Sequence, residues 1–167
     1  MVLTEKDFNG LFNTWFDPVR RYIFYRCGNS DLATDVAQET FLRVWEKQLE
    51  PQNGKAAGLL YKIASDFMIS HYRREKIKMN YQGNLRIDET DTSPEENLVF
   101  KELMEQYNKL LAGMPDKQRT VFLLSRMDDL KYHEISVRLG ISVKAVEKRM
   151  TLALKLIRKE LGDYGKR

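Results

Sequence analysis

The side chains with the clearest chemical purpose are a row of cations near the C-terminal end of the sequence. Residues 142–159 contain six Lys or Arg residues and one Glu. This density suits a helix that lies in the major groove of DNA beside the phosphates. The other interpretation is a solvated cationic helix face, which a basic stripe taken alone favours.

The residues around this row favour the DNA-binding interpretation. Residues 132–154 are typical of a helix, a tight turn at Gly140 and a second helix capped by Ser142. In such a helix-turn-helix, the first residues of the second helix reach base edges, so we predict that Lys144 and Lys148 contact bases. In the second helix the predicted inward residues are Val143, Val146, Met150, Ala153 and Ile157, and the predicted outward residues are Lys144, Lys148, Thr151 and Lys155.

Enzyme chemistry has little support in this sequence. It has two histidines, His71 and His133, and one cysteine, Cys27. No Gly-rich phosphate loop, Ser-containing nucleophile elbow or metal-ligand spacing accompanies them. We therefore predict no catalytic residue, no metal site and no cofactor, and we interpret Cys27 as a buried structural thiol.

Charge and composition divide the 167 residues into three parts. Residues 1–78 hold 12 basic and 10 acidic side chains, residues 79–100 hold 1 and 5, and residues 101–167 hold 15 and 9. In the acidic part the composition shifts to Gly, Asn, Asp, Thr, Ser and Pro without apolar periodicity, which is typical of a flexible linker. The predicted division is a domain at 1–79, an acidic linker at 80–97 and a domain at 98–167.

Apolar spacing predicts helices throughout and no strand, so we expect an all-α fold of two small helical domains. No apolar run approaches the roughly 20 residues that span a bilayer, and we expect a cytoplasmic protein without membrane insertion. In the first domain we predict a first helix with an N-cap at Thr4 and a kink or interruption at Pro18, followed by a break at 28–30. A second helix is predicted from near Asp31, and its inward residues are Leu32, Val36, Phe41, Val44 and Trp45. A loop at 51–58 and a third helix that ends in the basic run 73–76 complete this domain.

Short motifs occur in order along the chain. They are Asp35-Val36-Ala37-Gln38-Glu39-Thr40-Phe41, Tyr61-Lys62-Ile63-Ala64 and Arg73-Arg74 in the first domain, and Met114-Pro115, Arg119-Thr120-Val121-Phe122, Tyr132-His133-Glu134-Ile135 and Leu139-Gly140-Ile141-Ser142 in the second. Together they resemble the extracytoplasmic-function group of bacterial sigma factors in the sigma-70 family. The resemblance covers nearly the whole chain. It implies a region 2 bundle followed by a region 4 helix-turn-helix, in a subunit that binds core RNA polymerase and directs transcription initiation at promoter DNA.

The resemblance implies that the helix with the first motif docks on a coiled coil of the polymerase largest-subunit clamp. Asp35, Gln38, Glu39 and Arg43 match that surface. Three of them recur at four-residue steps, which gives a polar ridge able to pair with the charges of another helix. Spacing alone favours salt bridges within the helix instead.

The resemblance assigns recognition and melting of the −10 promoter element to the loop at 52–58 and the helix after it. Polar groups on an adaptable backbone suit the capture of an unstacked base, and arginines suit phosphate. Asp66 stands where many family members have Asn, and Ser70 where many have Asp. The implied −10 contacts are Asn53, Gly54, Lys55, Asp66, Arg73 and Arg74.

The resemblance assigns the −35 promoter element to the second helix of the helix-turn-helix. Glu147 stands where many family members carry a basic residue. Its carboxylate would accept a hydrogen bond from a cytosine amino group or pair with Lys144 or Lys148. The predicted −35 contacts are Ser142, Lys144, Ala145, Glu147, Lys148, Arg149, Thr151, Leu152 and Lys155.

Two further expectations concern partners. The resemblance implies an inhibitory anti-sigma factor, and it implies DNA surfaces that stay hidden until core polymerase separates the domains. The rival interpretation is a conventional helix-turn-helix regulator that does not bind core polymerase as a sigma subunit.

Overall fold

The computed structural model describes residues 2–51, 55–75 and 94–162 of the chain. Within these ranges the protein contains seven α-helices and no strand, which confirms the all-α prediction. None of the helices in the described part is both long enough and apolar enough to cross a membrane. The helices are α1 (Glu5–Cys27), α2 (Ser30–Glu46), α3 (Ala56–Glu75), α4 (Pro94–Gly113), α5 (Asp116–Arg126), α6 (Tyr132–Leu139) and α7 (Val143–Leu161).

The first helix begins and ends where its local sequence predicts. The Thr4 side chain accepts a hydrogen bond from the Asp7 backbone N at 3.2 Å and so satisfies a helix-terminal N–H. Gly28 takes the left-handed conformation, with a φ of 67°, and ends the helix. The predicted interruption at Pro18 does not occur, because α1 runs through this residue and buries Val19 beside it.

The first three helices pack around one apolar core. Ile23 of α1, Val36 and Phe41 of α2, and Leu60 of α3 are all buried in it. Cys27 is buried beside them, which confirms its interpretation as a buried thiol, and this burial raises the pKa of its thiol group. The N-terminal part of the chain therefore forms a three-helix bundle.

Two details of this bundle differ from the prediction. The helix α3 begins at Ala56, so residues 56–58 of the predicted loop are helical, consistent with the high helix propensity of alanine. Trp45 is exposed rather than turned inward. Its ring packs at the rim of the core instead, 5.1 Å from the ring centre of Phe8.

The remaining helices form a second helical unit. Val121 of α5, Ile135 of α6 and Val146 of α7 are fully buried, and α4 packs on α7. The helix α4 begins at Pro94, ahead of the predicted domain start at residue 98. Residues 80–93 of the predicted linker lie outside the described residues.

The two halves of the chain pack against each other, α5 against α1 and α6 against α3. Arg119 lies at the centre of this contact and is 3% exposed. Its guanidinium donates to the carbonyl oxygens of Tyr25 at 2.8 Å, Arg26 at 2.6 Å and Met114 at 2.8 Å. The carbonyl oxygens of Tyr25 and Arg26 lie in the last turn of α1, where they have no hydrogen-bond donor within the helix. The C-terminal half is therefore seated on the N-terminal bundle.

Candidate nucleic-acid interface

A helix-turn-helix is present at the predicted residues. The helix α6 is followed by Gly140, which takes the left-handed conformation with a φ of 64° and whose N–H donates to the Ser136 carbonyl oxygen. The Ser142 side chain then accepts from the Ala145 backbone N at 3.1 Å, and α7 begins at Val143. Glycine takes this backbone conformation without the steric cost of a Cβ, and serine satisfies an N–H at the helix start. Local chemistry thus positions α7 against α6.

The helix α7 has one buried and one exposed face. Its inward face is buried at Val146, Met150 and Ala153, and Ile157 is half-buried against the same core. The inward prediction is wrong for Val143, which is exposed because it is the first residue of the helix. The outward prediction is confirmed at all its positions, which are Lys144, Lys148, Thr151 and Lys155.

The residues predicted to contact the −35 element all lie in α7 or directly before it. Ala145 and Arg149 are half-buried, and the others are exposed. Because residues four apart share a helix face, the exposed lysines form one continuous cationic surface. The exposed members are Ser142, Lys144, Glu147, Lys148, Thr151, Leu152 and Lys155.

Glu147 interrupts this cationic surface with a carboxylate. Among the ion pairs of the described residues, none joins Glu147 to Lys144 or Lys148. The neighbouring Thr151 hydroxyl donates to the Glu147 main-chain oxygen at 2.8 Å. Two roles were predicted for this carboxylate, a hydrogen bond from a cytosine amino group and an ion pair with a lysine. The described residues show no such ion pair.

The residues predicted to contact the −10 element are spread along α3 rather than gathered in one pocket. Lys55 precedes the helix, Asp66 lies in its middle, and Arg73 and Arg74 lie in its last turn, all exposed. At a rise of 1.5 Å per residue, the helix start and Arg73 are about 26 Å apart. This spacing suits contacts along a strand more than a single pocket. The other two members of the set, Asn53 and Gly54, lie outside the described residues.

The middle of α3 is partly covered by α6. A cleft of about 360 Å³ lies between the two helices, and Asp66 and Arg138 are among the residues that line it. Arg138 Nη1 donates to the Tyr61 hydroxyl at 3.2 Å. Burial raises the pKa of Tyr61, so this hydroxyl stays protonated and donates to the Pro18 carbonyl oxygen at 3.4 Å. An arginine of the C-terminal half therefore occupies the α3 face beside a predicted DNA contact.

A larger groove of about 860 Å³ runs along the start of α3. Lys55 and Lys62 line it from the N-terminal half, and Val137 and Gly140 line it from the C-terminal half. Lys62 is exposed and also lines the neighbouring cleft. Sequence analysis did not single out this cation, although it stands in one of the family-like motifs. It adds to the predicted strand-contacting surface of α3.

The predicted polymerase-docking ridge on α2, defined by Asp35, Gln38, Glu39 and Arg43, is accessible. Three of its members are exposed, and the Glu39 side chain is 39% exposed. Its charges pair differently from the expectation based on spacing. Within the described residues no ion pair joins Glu39 to Arg43, and Glu39 instead contacts His71 of α3 at 3.1 Å. The alternative of a salt bridge between these two residues is therefore not what the structure shows.

Charged residues join the two halves at two further points. Asp128, whose side chain is 4% exposed, accepts from Arg21 Nε at 3.1 Å and from the Tyr25 hydroxyl at 2.5 Å. Arg26 pairs with Asp116 at 3.4 Å. These pairs could not be found from the sequence, because the two partners are separated by about a hundred positions and no local pattern links them.

Comparison with known families supports both halves separately. Residues 11–77 match the profile of the family described as Sigma-70 region 2, and residues 104–157 match that described as Sigma-70, region 4. Solved structures share the arrangement. The sigma factor RpoE in complex with the anti-sigma factor NepR from Bartonella quintana matches with a TM-score of 0.65 and 18% identity, over 93% of this chain and 97% of that chain. CnrH in complex with the cytosolic domain of CnrY matches with a TM-score of 0.63 and 20% identity, over 96% and 91%.

Sequence relatives extend over almost the full chain. The ferric citrate uptake sigma factor FecI of Escherichia coli (strain K12) is 30% identical over 160 residues, which cover 93% of this chain and 92% of FecI. The ECF RNA polymerase sigma factor SigW of Bacillus subtilis (strain 168) is 28% identical over 167 residues, with 93% and 89% covered.

The fold and the two matched regions define a sigma factor, a specificity subunit of bacterial RNA polymerase. The chain belongs to the extracytoplasmic-function group of the sigma-70 family. It binds core RNA polymerase and directs promoter-specific transcription initiation by reading the −10 and −35 elements. The rival interpretation as a conventional regulator does not account for the match of residues 11–77 to sigma region 2.

Proposed function

We propose that this sigma factor uses two surfaces that are accessible at the same time. The α2 ridge of Asp35, Gln38, Glu39 and Arg43 docks on the coiled coil of the polymerase largest-subunit clamp, and α7 reads the −35 element. The observation that carries this proposal is the exposure of the ridge and of the α7 lysines in one structure. Exposed charges of this kind steer association and discriminate between partners.

Within α7 the proposed roles follow position. Lys144 and Lys148 lie in the first half of the helix and contact base edges, and Lys155 lies further along and contacts phosphate. Glu147 accepts a hydrogen bond from a cytosine amino group, which is supported by the lack of an ion pair with either lysine in the described residues. The rest of the proposed −35 surface is Ser142, Ala145, Arg149, Thr151 and Leu152.

The proposed −10 surface runs along α3 from Lys55 to Arg74 and includes Asp66 and Arg73. A separated strand with its bases unstacked needs cations for the phosphates over several nucleotides, and α3 supplies them at both ends. Lys62 joins this surface because it is exposed in the groove at the start of α3. Asn53 and Gly54 remain proposed members of the base-capturing loop.

The proposal also covers where the protein acts, whether it catalyses a reaction and what restrains it. The protein acts in the cytoplasm, where core polymerase is found, and contributes no catalytic group of its own, in keeping with a family of initiation factors. An anti-sigma factor restrains it. The last proposal is supported by the two similarly folded sigma proteins, which were solved with NepR and with the cytosolic domain of CnrY.

Charge reversal on the ridge tests the polymerase-docking surface. Glu39→Lys is expected to weaken binding of the full chain to sigma-free core polymerase, because an attractive charge becomes a repulsive one. Glu102→Lys provides the matched control, since it changes net charge equally at an exposed position of α4. Affinity is measured by anisotropy of the labelled chain, and promoter-dependent transcription follows in the same mixtures. Unaltered affinity of Glu39→Lys would remove the ridge, and tight DNA binding without any core association would favour a conventional regulator.

A further inference from the structure

Two side chains of α3 contact two residues of the polymerase-docking ridge. The Nε2 atom of His71 lies 3.1 Å from Oε2 and 3.3 Å from Oε1 of Glu39. One helical turn earlier, the ring centre of Phe67 lies 5.0 Å from the guanidinium carbon of Arg43. Because both pairs of residues are four apart in their helices, the contacts form two successive rungs between α3 and α2.

The two partners in the first rung differ in exposure. The His71 side chain is 18% exposed and is held in the helix interface, whereas the Glu39 side chain is 39% exposed. An ionised carboxylate offers about four acceptor positions, so a single ring nitrogen leaves acceptor capacity for another donor. Glu39 is therefore held from behind while it remains able to bind a partner.

We propose that His71 and Phe67 are positioning residues that hold Glu39 and Arg43 in the conformations that meet the polymerase clamp. The inference rests on the proposed docking function of the α2 ridge. Free Glu and Arg side chains lose rotamer freedom when they dock, and side chains already ordered by a neighbour lose less. Both contacts also hold the charged groups of Glu39 and Arg43 against α3. The two side chains therefore do not form a salt bridge with each other within α2.

A purely structural role predicts something different. If His71 only packed α3 on α2, its replacement would affect polymerase binding through the stability of the bundle, whatever residue stood at position 39. If His71 positions the Glu39 carboxylate, the effect of its replacement depends on that carboxylate. The energetic coupling between the two positions separates these roles.

The test measures binding of the full chain to sigma-free core polymerase for single and paired variants. His71→Phe keeps a planar ring and removes the ring nitrogen, and it is expected to weaken binding about three- to fivefold, the scale for a partly exposed pair. His71→Gln restores a donor and is expected to bind within about twofold of the native chain. In a Glu39→Ala background, which offers no side-chain acceptor to the His71 ring, His71→Phe is expected to have no further effect. His133→Gln is the control, because His133 is the other histidine and is exposed on α6.

Two results would overturn the inference: an unchanged affinity of His71→Phe, or an equal loss in the Glu39→Ala background. Circular dichroism checks that the variants fold. If His71→Phe does not fold, Phe67→Leu tests the second rung, with an expected loss of about two- to fivefold that disappears when Arg43→Gln is already present. Failure of the docking surface itself is recognised separately, because Glu39→Lys would then bind core polymerase normally.

Discussion

The two surfaces of this sigma factor that are proposed to contact DNA, on α3 and on α7, differ in how accessible they are. The α7 surface is open, with Lys144, Lys148 and Lys155 exposed. The α3 surface is partly covered, because α6 packs on it and Arg138 reaches Tyr61. The expectation that the DNA surfaces are hidden is therefore wrong for α7, while the middle of α3 is partly covered.

This difference matches the DNA that each surface is proposed to contact. A recognition helix reads an intact duplex, which is present before initiation starts. The α3 surface is proposed to hold a separated strand, which exists only after melting. In this proposal a closed molecule that exposes α7 and the docking ridge engages polymerase and duplex first, and the separated strand gains full access to the middle of α3 when α6 moves away from it.

Replacement of Arg119 is expected to have the largest effect on the joint between the halves. Its guanidinium donates to four main-chain carbonyl oxygens, and Arg119→Ala removes this donor from all of them. The Leu111 oxygen keeps another donor, the Met114 backbone N at 3.2 Å. We expect the free energy of unfolding to fall by about 3 kcal/mol. Urea unfolding followed by circular dichroism measures it. The four carbonyls belong to Tyr25, Arg26, Leu111 and Met114.

Arg126→Ala is the matched control for this variant. Arg126 is exposed at the end of the same helix, so its loss is expected to cost less than about 1 kcal/mol. Both tryptophans, Trp15 and Trp45, lie in the N-terminal bundle. The guanidinium carbon of Arg138 lies 5.0 Å from the ring centre of Trp15, so Trp15 fluorescence also reports on the contact between the halves. Equal stability of Arg119→Ala and Arg126→Ala would contradict the conclusion that Arg119 holds the two halves together. It would also contradict the conclusion that α6 covers part of α3.

Replacement of Lys148 is expected to have the next largest effect, on DNA binding rather than stability. If Lys148 contacts a base, Lys148→Ala weakens binding to a −35 duplex by about 2 kcal/mol and relaxes discrimination at one base pair. Because α7 is open, the loss should appear in the free chain as well as in the holoenzyme. Binding titrations with single-base variants of the duplex measure it.

Lys155→Ala serves as the comparison for a phosphate contact. It is expected to weaken binding equally on all sequences and to lower the slope of log affinity against log salt by about one unit. Equal weakening by Lys148→Ala on every duplex would reassign that residue to phosphate. An effect visible only in the holoenzyme would mean that α7 is not open in the free chain.

The helices and the helix-turn-helix were predictable because their signals are local. Thr4, Gly28, Gly140 and Ser142 each act within four residues along the chain, and the apolar spacing of α7 identifies its buried face. Val143 was assigned wrongly because periodicity carries no information about where a helix leaves the core.

The cover on α3 was not predictable, because its contacts depend on how the two halves meet. Arg21 and Asp128 are 107 positions apart, and neither has a local feature that points to the other. Arg119 stands in a family-like motif, yet only the fold shows that it donates to the end of α1. The same reason applies to Glu39, whose local spacing indicated Arg43 while its partner is on another helix.

Removal of the Asp128 charge is expected to have a smaller effect, on the binding of single-stranded DNA but not on the binding of the −35 duplex. Asp128→Asn weakens the contact with Arg21 and Tyr25, and since the Arg21 side chain is 43% exposed we expect a cost of about 1 kcal/mol to the closed state. Binding of a single-stranded oligonucleotide should then rise up to about fivefold, while binding of the −35 duplex stays unchanged. Fluorescence anisotropy with the two DNA probes measures both.

Asp129→Asn is the matched control. The substitution changes the net charge equally, and Asp129 is exposed one residue away from Asp128. Its φ of 52° is tolerated by Asn as well as by Asp, so the loop geometry is kept. An equal rise for both variants would attribute the effect to net charge. A parallel rise in duplex binding would mean that α7 is also covered in the closed state.

The smallest effect is expected at Gly58 of α3. A Cβ added at this glycine would meet another helix, α6. A Cβ at this position would lie 3.4 Å from the Val137 carbonyl oxygen, which is the limit of ordinary contact. Gly58→Ala should therefore change the free energy of unfolding by less than about 0.5 kcal/mol, since a small crowding opposes the better helix propensity of alanine. Gly58→Leu has no such room and should push α6 away from α3. Small-angle X-ray scattering measures the result: a larger radius of gyration for the leucine variant alone supports the cover, and an unchanged radius for both contradicts it.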